Sequence, residues 1–96
     1  MLADLTVETF APYLHQTFRI GAGDAAFDGE LIEARKLGTG TAGHRDPFSL
    51  IFRGPRSVLL PQGIYPVHKE ELGTLEIFLV PVGPDQAGFL YQAIFG

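Results

Sequence analysis

Three histidines, at positions 15, 44 and 68, carry the side chains best suited to proton transfer or metal binding near neutral pH. His44 is the most suggestive of the three. In His44-Arg45-Asp46 a carboxylate stands two residues away, beside a Gly-rich run able to present both groups on a loop. Such triplets arise often by chance, and no third ligand or nucleophile stands nearby, so a solvated loop is the expected reading. Neither serine, Ser49 or Ser57, sits in a Gly-x-Ser-x-Gly elbow, and Ser49 falls in an alternating strand where its hydroxyl is expected on a polar side. With no cysteine, the chain has no thiol nucleophile and no thiolate zinc site. The run Gly38-Thr39-Gly40-Thr41-Ala42-Gly43 spells GxGxxG, yet a dinucleotide site needs a helix to open there. Pro47 and a strand pattern follow instead. No catalytic residue, metal site or cofactor is expected.

The remaining polar groups of interest lie among apolar runs. Glu76 is the one charge inside Leu75–Val82. A carboxylate buried there needs a cation, with Arg53 or Arg35 the natural choices. Glu76 then reads as part of a polar site in a barrel mouth, as a structural ion pair, or as a group exposed at an edge. Tyr65, Tyr91 and Arg53 join Glu76 as candidate polar contacts for a bound ligand. The acid pairs Asp24/Asp28 and Glu70/Glu71 flank turns and read as solvated.

These side chains must be positioned by a chain of 96 residues, enough for one domain spanning 1–96. Its 46% apolar content and eight Phe suffice for a packed core. Seven basic residues oppose eleven acidic ones, for a net charge of −4, and no basic cluster exceeds Arg35-Lys36. Nucleic-acid binding leans on phosphate contacts, so no nucleic-acid partner is expected. The first residues lack a basic, then apolar, leader pattern. The longest apolar run, Ile77–Val82, is far short of the ~20 residues that span a bilayer. No membrane association and a cytoplasmic location are expected.

Period-two alternation dominates. A short helix of one or two turns is expected within Thr6–Leu14, with Phe10, Tyr13 and Leu14 on one face; Thr6 or Thr9 could cap it, and Thr9 is the better because Pro12 is tolerated only in a first turn. Strands are expected at Thr17–Ile20, Phe48–Arg53, Gly63–His68, Leu75–Val82 and Gly88–Phe95, the last two joined by a hairpin at Pro84–Gly88. Pro66 puts its strand at an edge or at a bulge. Leu75–Val82 is apolar on both sides and reads as central and covered on both. Phe27–Leu37 fits a helical face through Phe27, Leu31 and Ala34 as well as it fits a strand, and only the neighbouring strands tip it to strand. The expectation is an all-β, mainly antiparallel barrel or sandwich of about six strands with a short N-terminal helix.

The spaced motifs Phe48-Ser49-Leu50-Ile51-Phe52-Arg53-Gly54-Pro55, Leu60-Pro61-Gln62-Gly63-Ile64-Tyr65, Leu72-Gly73 and Phe78-Leu79-Val80-Pro81-Val82-Gly83, closing on Tyr91–Phe95, resemble an uncharacterised bacterial family of unknown function, about one domain long. Phe10, Leu14 and Thr17-Phe18-Arg19 resemble its opening. The chain departs from the pattern at His15, where the family has glycine, and at Gly96, where a polar residue often ends it. The resemblance carries no activity or site residue across. It implies a structural or accessory role, because members occur beside genes for phage-tail-like collar or fibre proteins. The leading expectation is therefore a non-enzymatic module that binds a protein partner or associates with itself. The alternative is a small barrel holding an apolar small molecule.

Overall fold

The computed structural model describes residues 5–40 and 45–96. Its order is helix α1 (Val7–Phe10), a 3-10 turn (Ala11–Tyr13), strand β1 (Thr17–Ile20), a second 3-10 turn (Gly23–Ala25), then β2 (Phe27–Lys36), β3 (Phe48–Gly54), β4 (Gly63–Lys69), β5 (Gly73–Pro84) and β6 (Phe89–Phe95). All neighbouring strands are antiparallel, and the sheet closes into a six-stranded barrel in the order β1-β2-β3-β6-β5-β4. The chain passes from β3 to β4 over one end of the barrel, through residues 55–62. The closing seam is short. β1 meets β4 only at Arg19–His68 and Ile20–Val67, continued by the Gly21 amide donating to the Pro66 carbonyl at 2.9 Å. A strand residue's N–H and C=O point the same way, so the N–H that Pro66 lacks would have faced this seam, where β1 has already ended.

Alternation explains what fills the barrel. Phe48, Leu50 and Phe52 of β3, Leu75, Ile77 and Leu79 of β5, and Tyr91, Ala93 and Phe95 of β6 point inward. The helix closes one end by inserting Phe10, fully buried, against Phe18, Phe48 and Phe95 with ring centroids 6.0–6.5 Å apart. Phe48 and Phe95 stack at 4.5 Å, and the Arg45 guanidinium lies over both rings. At the other end Leu60 and Val58, from the β3–β4 connection, pack onto the core.

Several expectations need correction or gain a reason. Thr6, not Thr9, caps the helix. Thr9 is the third helical residue and its Oγ1 accepts the Thr6 amide at 3.1 Å, while Pro12 lies in the 3-10 turn after Ala11 instead of in a first α turn. Phe27–Lys36 is a strand whose register shifts between Leu31 and Glu33, leaving Ile32 as an extra residue. That bulge moves the inward face from Phe27, Gly29 and Leu31 to Ala34, a three-residue step, which is why Phe27, Leu31 and Ala34 imitate a helical face. β5 is covered on one side only. Its Ile77 and Leu79 are buried, but Phe78 and Val82 on the outside are exposed. Ser49 is the reverse surprise, 0% exposed, with an Oγ that finds no hydrogen-bond partner among the described residues.

Candidate functional site

Tyr91 sits inside the barrel, its ring 5.9 Å from that of Phe27. Its hydroxyl accepts the Leu60 amide at 3.0 Å and reaches the Val58 carbonyl at 3.4 Å. Tyr65, on β4, donates to the Pro61 carbonyl at 2.5 Å. Both tyrosines thus hold the β3–β4 connection, pulling its backbone onto the barrel end. A buried backbone N–H must find an acceptor, and Tyr91 supplies the one that Leu60 needs.

Arg53 points outward from β3. Its Nε and Nη2 donate to Asp85 Oδ2 at 2.9 and 2.7 Å, and Nη1 lies 3.5 Å from Glu30. Asp85 Oδ1 accepts the amides of Ala87 and Gly88, tightening the β5–β6 hairpin. The Arg53 hydrogen bond, ahead of those two amides, holds the Asp85 carboxyl below the usual carboxylate range, and Asp85 in turn raises the Arg53 guanidinium. Arg56 adds hydrogen bonds to the Asp85 and Gln86 carbonyls. Asp85 went unnoticed in the sequence as a partner for Arg53, although an Asp opening Pro-Asp-Gln-Ala-Gly is a signal for a side chain that bonds its own turn.

Glu76 lies apart from these groups. It is exposed on the outer face of β5, opposite Pro66, and takes neither expected cation. Arg53 belongs to Asp85 and Glu30, while Arg35 lies 3.9 Å from Glu33. Of the three readings of Glu76, exposure is the one found. The four candidate contacts are therefore not gathered at one point.

His44 falls outside the described residues, as does the end of the GxGxxG run. Its neighbour Asp46 accepts the Gly40 amide at 2.6 Å and pairs with Lys36 at 3.1 Å. The Gly40 bond first, and Lys36 second, hold its carboxyl low. His68 Nδ1 lies 2.8 Å from Thr74 Oγ1, and His15 lies 3.4 Å from Glu30. Among the described residues no group of three or more His, Asp or Glu could hold a metal ion.

What alternation does gather is apolar surface. Ile64 of β4 stands directly opposite Phe78 of β5, and they are 65% and 50% exposed. Two residues along from the Val80–Gln92 pair, Ile94 of β6, 64% exposed, lines one cleft with Phe78. That cleft, about 220 Å³, is also lined by Glu76 of β5, by Gly96 just past the end of β6, and by Arg45, whose Nε donates to the Gly96 carbonyl. Ile51 of β3 faces Gln92 on the same outer side, two residues along from the level of Ile94. Single exposed apolar side chains are ordinary, but a row continuous across strands is not. The sequence carries the same signal, since Phe78, Val80 and Val82 fall on one side of β5.

No helix among the described residues is long and apolar enough to cross a membrane. The family described as domain of unknown function DUF6916 matches residues 5–95, and the chain belongs to it. No curated protein and no solved structure matches the chain.

Proposed function

We propose that this member of the DUF6916 family is a non-enzymatic docking module, in which a filled barrel presents the outer face of β4, β5 and β6 to another protein surface. The observation that carries this reading is the row Ile64, Phe78 and Ile94, apolar, exposed and contiguous on neighbouring strands. Hydrophobic area removed from water supplies most of the drive for association, and a chain gains nothing by keeping such a row in water. An accessory place in a phage-tail-like assembly is the finer form of this reading, and the family resemblance alone suggests it. The alternative, a barrel holding a small apolar molecule, has less support. Large side chains such as Phe10, Phe18, Phe52 and Tyr91 occupy the interior, and the Tyr91 and Tyr65 hydroxyls are engaged by backbone.

A photo-crosslinking residue in place of Ile94 tests the proposal in the native host, with one in place of Leu14 as control. Leu14 is also exposed but stands beyond the helical end. A discrete protein adduct from position 94 and none from position 14 is expected. Equal labelling from both positions, or none from either, overturns the proposal.

A further inference from the structure

We infer that the occupant of this face is a second copy of the chain, joined through a two-fold axis that runs between β5 and β6; the inference rests on the docking reading above. The first argument is area. Ile64, Phe78, Val82 and Ile94 expose on the order of 400 Å², within the range of the largest patches on monomers. With the half-buried Ile51, Val80, Leu90 and Gln92 and the exposed Glu76 around them, the face offers roughly 700 Å² per copy, near the ~800 Å² per partner of a standard interface.

The second argument is self-complementarity. In a two-fold contact the axis lies in the plane of the interface, and each residue meets the one that mirrors it across that axis. An axis between β5 and β6 seats Phe78 on the partner's Ile94, and reciprocally, because the two stand side by side on adjacent strands and line one cleft. Val80 meets the partner's Gln92 by the same operation, since those two are register partners. Charge agrees. Glu76 lines the cleft from β5 and Arg45 lines it from the β6 side, bound to the Gly96 carbonyl, so each copy's Glu76 falls on the Arg45 side of the other. An axis along β5 itself would set Glu76 against the partner's Glu76, a like-charge contact.

Light scattering on size-exclusion fractions of the purified chain, from about 1 μM to about 1 mM, tests the inference across the affinities open to interfaces of this size. The mass is expected to rise from 10.4 kDa toward twice that value. Phe78→Lys and Ile94→Lys, both on exposed positions, are expected to hold the protein at the monomer mass with the circular dichroism spectrum unchanged. Glu76→Lys is expected to move the midpoint to higher concentration. A wild-type monomer throughout the range, or a dimer that neither lysine variant disturbs, overturns the inference; an unchanged midpoint for Glu76→Lys overturns the assigned axis. If the purified chain stays monomeric while position 94 still crosslinks to a different protein in the host, the second-copy inference falls and the docking reading stands. A monomer with no adduct at position 94 removes both.

Discussion

His15 has a backbone φ of 70°, in the left-handed region where a Cβ is crowded and glycine is free of the cost. The turn that requires it is plain: the His15 amide donates to the Leu31 carbonyl at 2.7 Å and the Leu31 amide returns to Gln16. The resemblance leads to the expectation of a glycine at this position, and the backbone conformation gives that expectation a physical reason. His15→Gly is expected to stabilise the protein by about 1 kcal/mol, read from denaturant midpoints, because the exposed contact with Glu30 contributes little against that relief. A second residue-scale effect concerns acid. Asp85 titrates lower in the folded chain than its ordinary value, so its contribution is fully present above about pH 4 and fades as pH falls through the lowered value. Asp85→Asn should flatten that acidic limb of a stability-against-pH curve while leaving its slope near neutrality alone. An acid limb identical to wild type would show that the Arg53–Asp85 pair adds nothing.

Among the elements, β2 and β3 show how side-chain size sets the barrel's girth. A Cβ on Gly54 would lie 2.6 Å from Phe27 Cε1, so the glycine that ends β3 exists to admit the Phe27 ring. Gly54→Ala is expected to cost about 1–3 kcal/mol by overpacking, with part recovered when Phe27→Leu is added, a coupling that a double-mutant cycle measures. Most strands were legible because period two survives in β1, β3, β4 and β6, and in β5 as far as Pro81, where its register with β6 shifts. β2 was legible only through its neighbours, since one extra residue at Ile32 converts a strand's face into a helix's spacing. Inside and outside were harder to read than strand and turn. Phe78 and Val82 look like core by composition, and only closure of the sheet shows that a barrel has a single interior for Leu75, Ile77 and Leu79 to fill. The pairing of Arg53 with Asp85 joins residues 32 apart, and no local pattern announces a contact between a strand and a distant hairpin.

For the whole molecule, the same closure separates two tasks. Aromatic packing inside fixes the shape, with Phe10 as the stopper at one end and the Tyr91 hydroxyl fastening the connection at the other. The outside is then free to carry a row of Ile and Phe whose burial the fold does not need. Lysine substitutions at Ile64, Phe78 or Ile94 should for that reason leave the thermal midpoint nearly unchanged when measured at concentrations where the wild-type chain is monomeric, within the small range usual for surface changes. Midpoints lowered as far as those of core substitutions would mean that the row belongs to the fold after all.

The ladder around this cylinder is uneven. β3 and β6 pair along seven residues from Phe48 to Gly54, whereas β1 grips β4 at two. Where rungs are fewest, thermal opening begins, so amide protons of Arg19 and Gly21 should exchange with solvent long before those of Leu50 and Phe52. A hydrogen-exchange map would then show the wall unzipping along one line, swinging the first hairpin outward while the remaining strands stay joined.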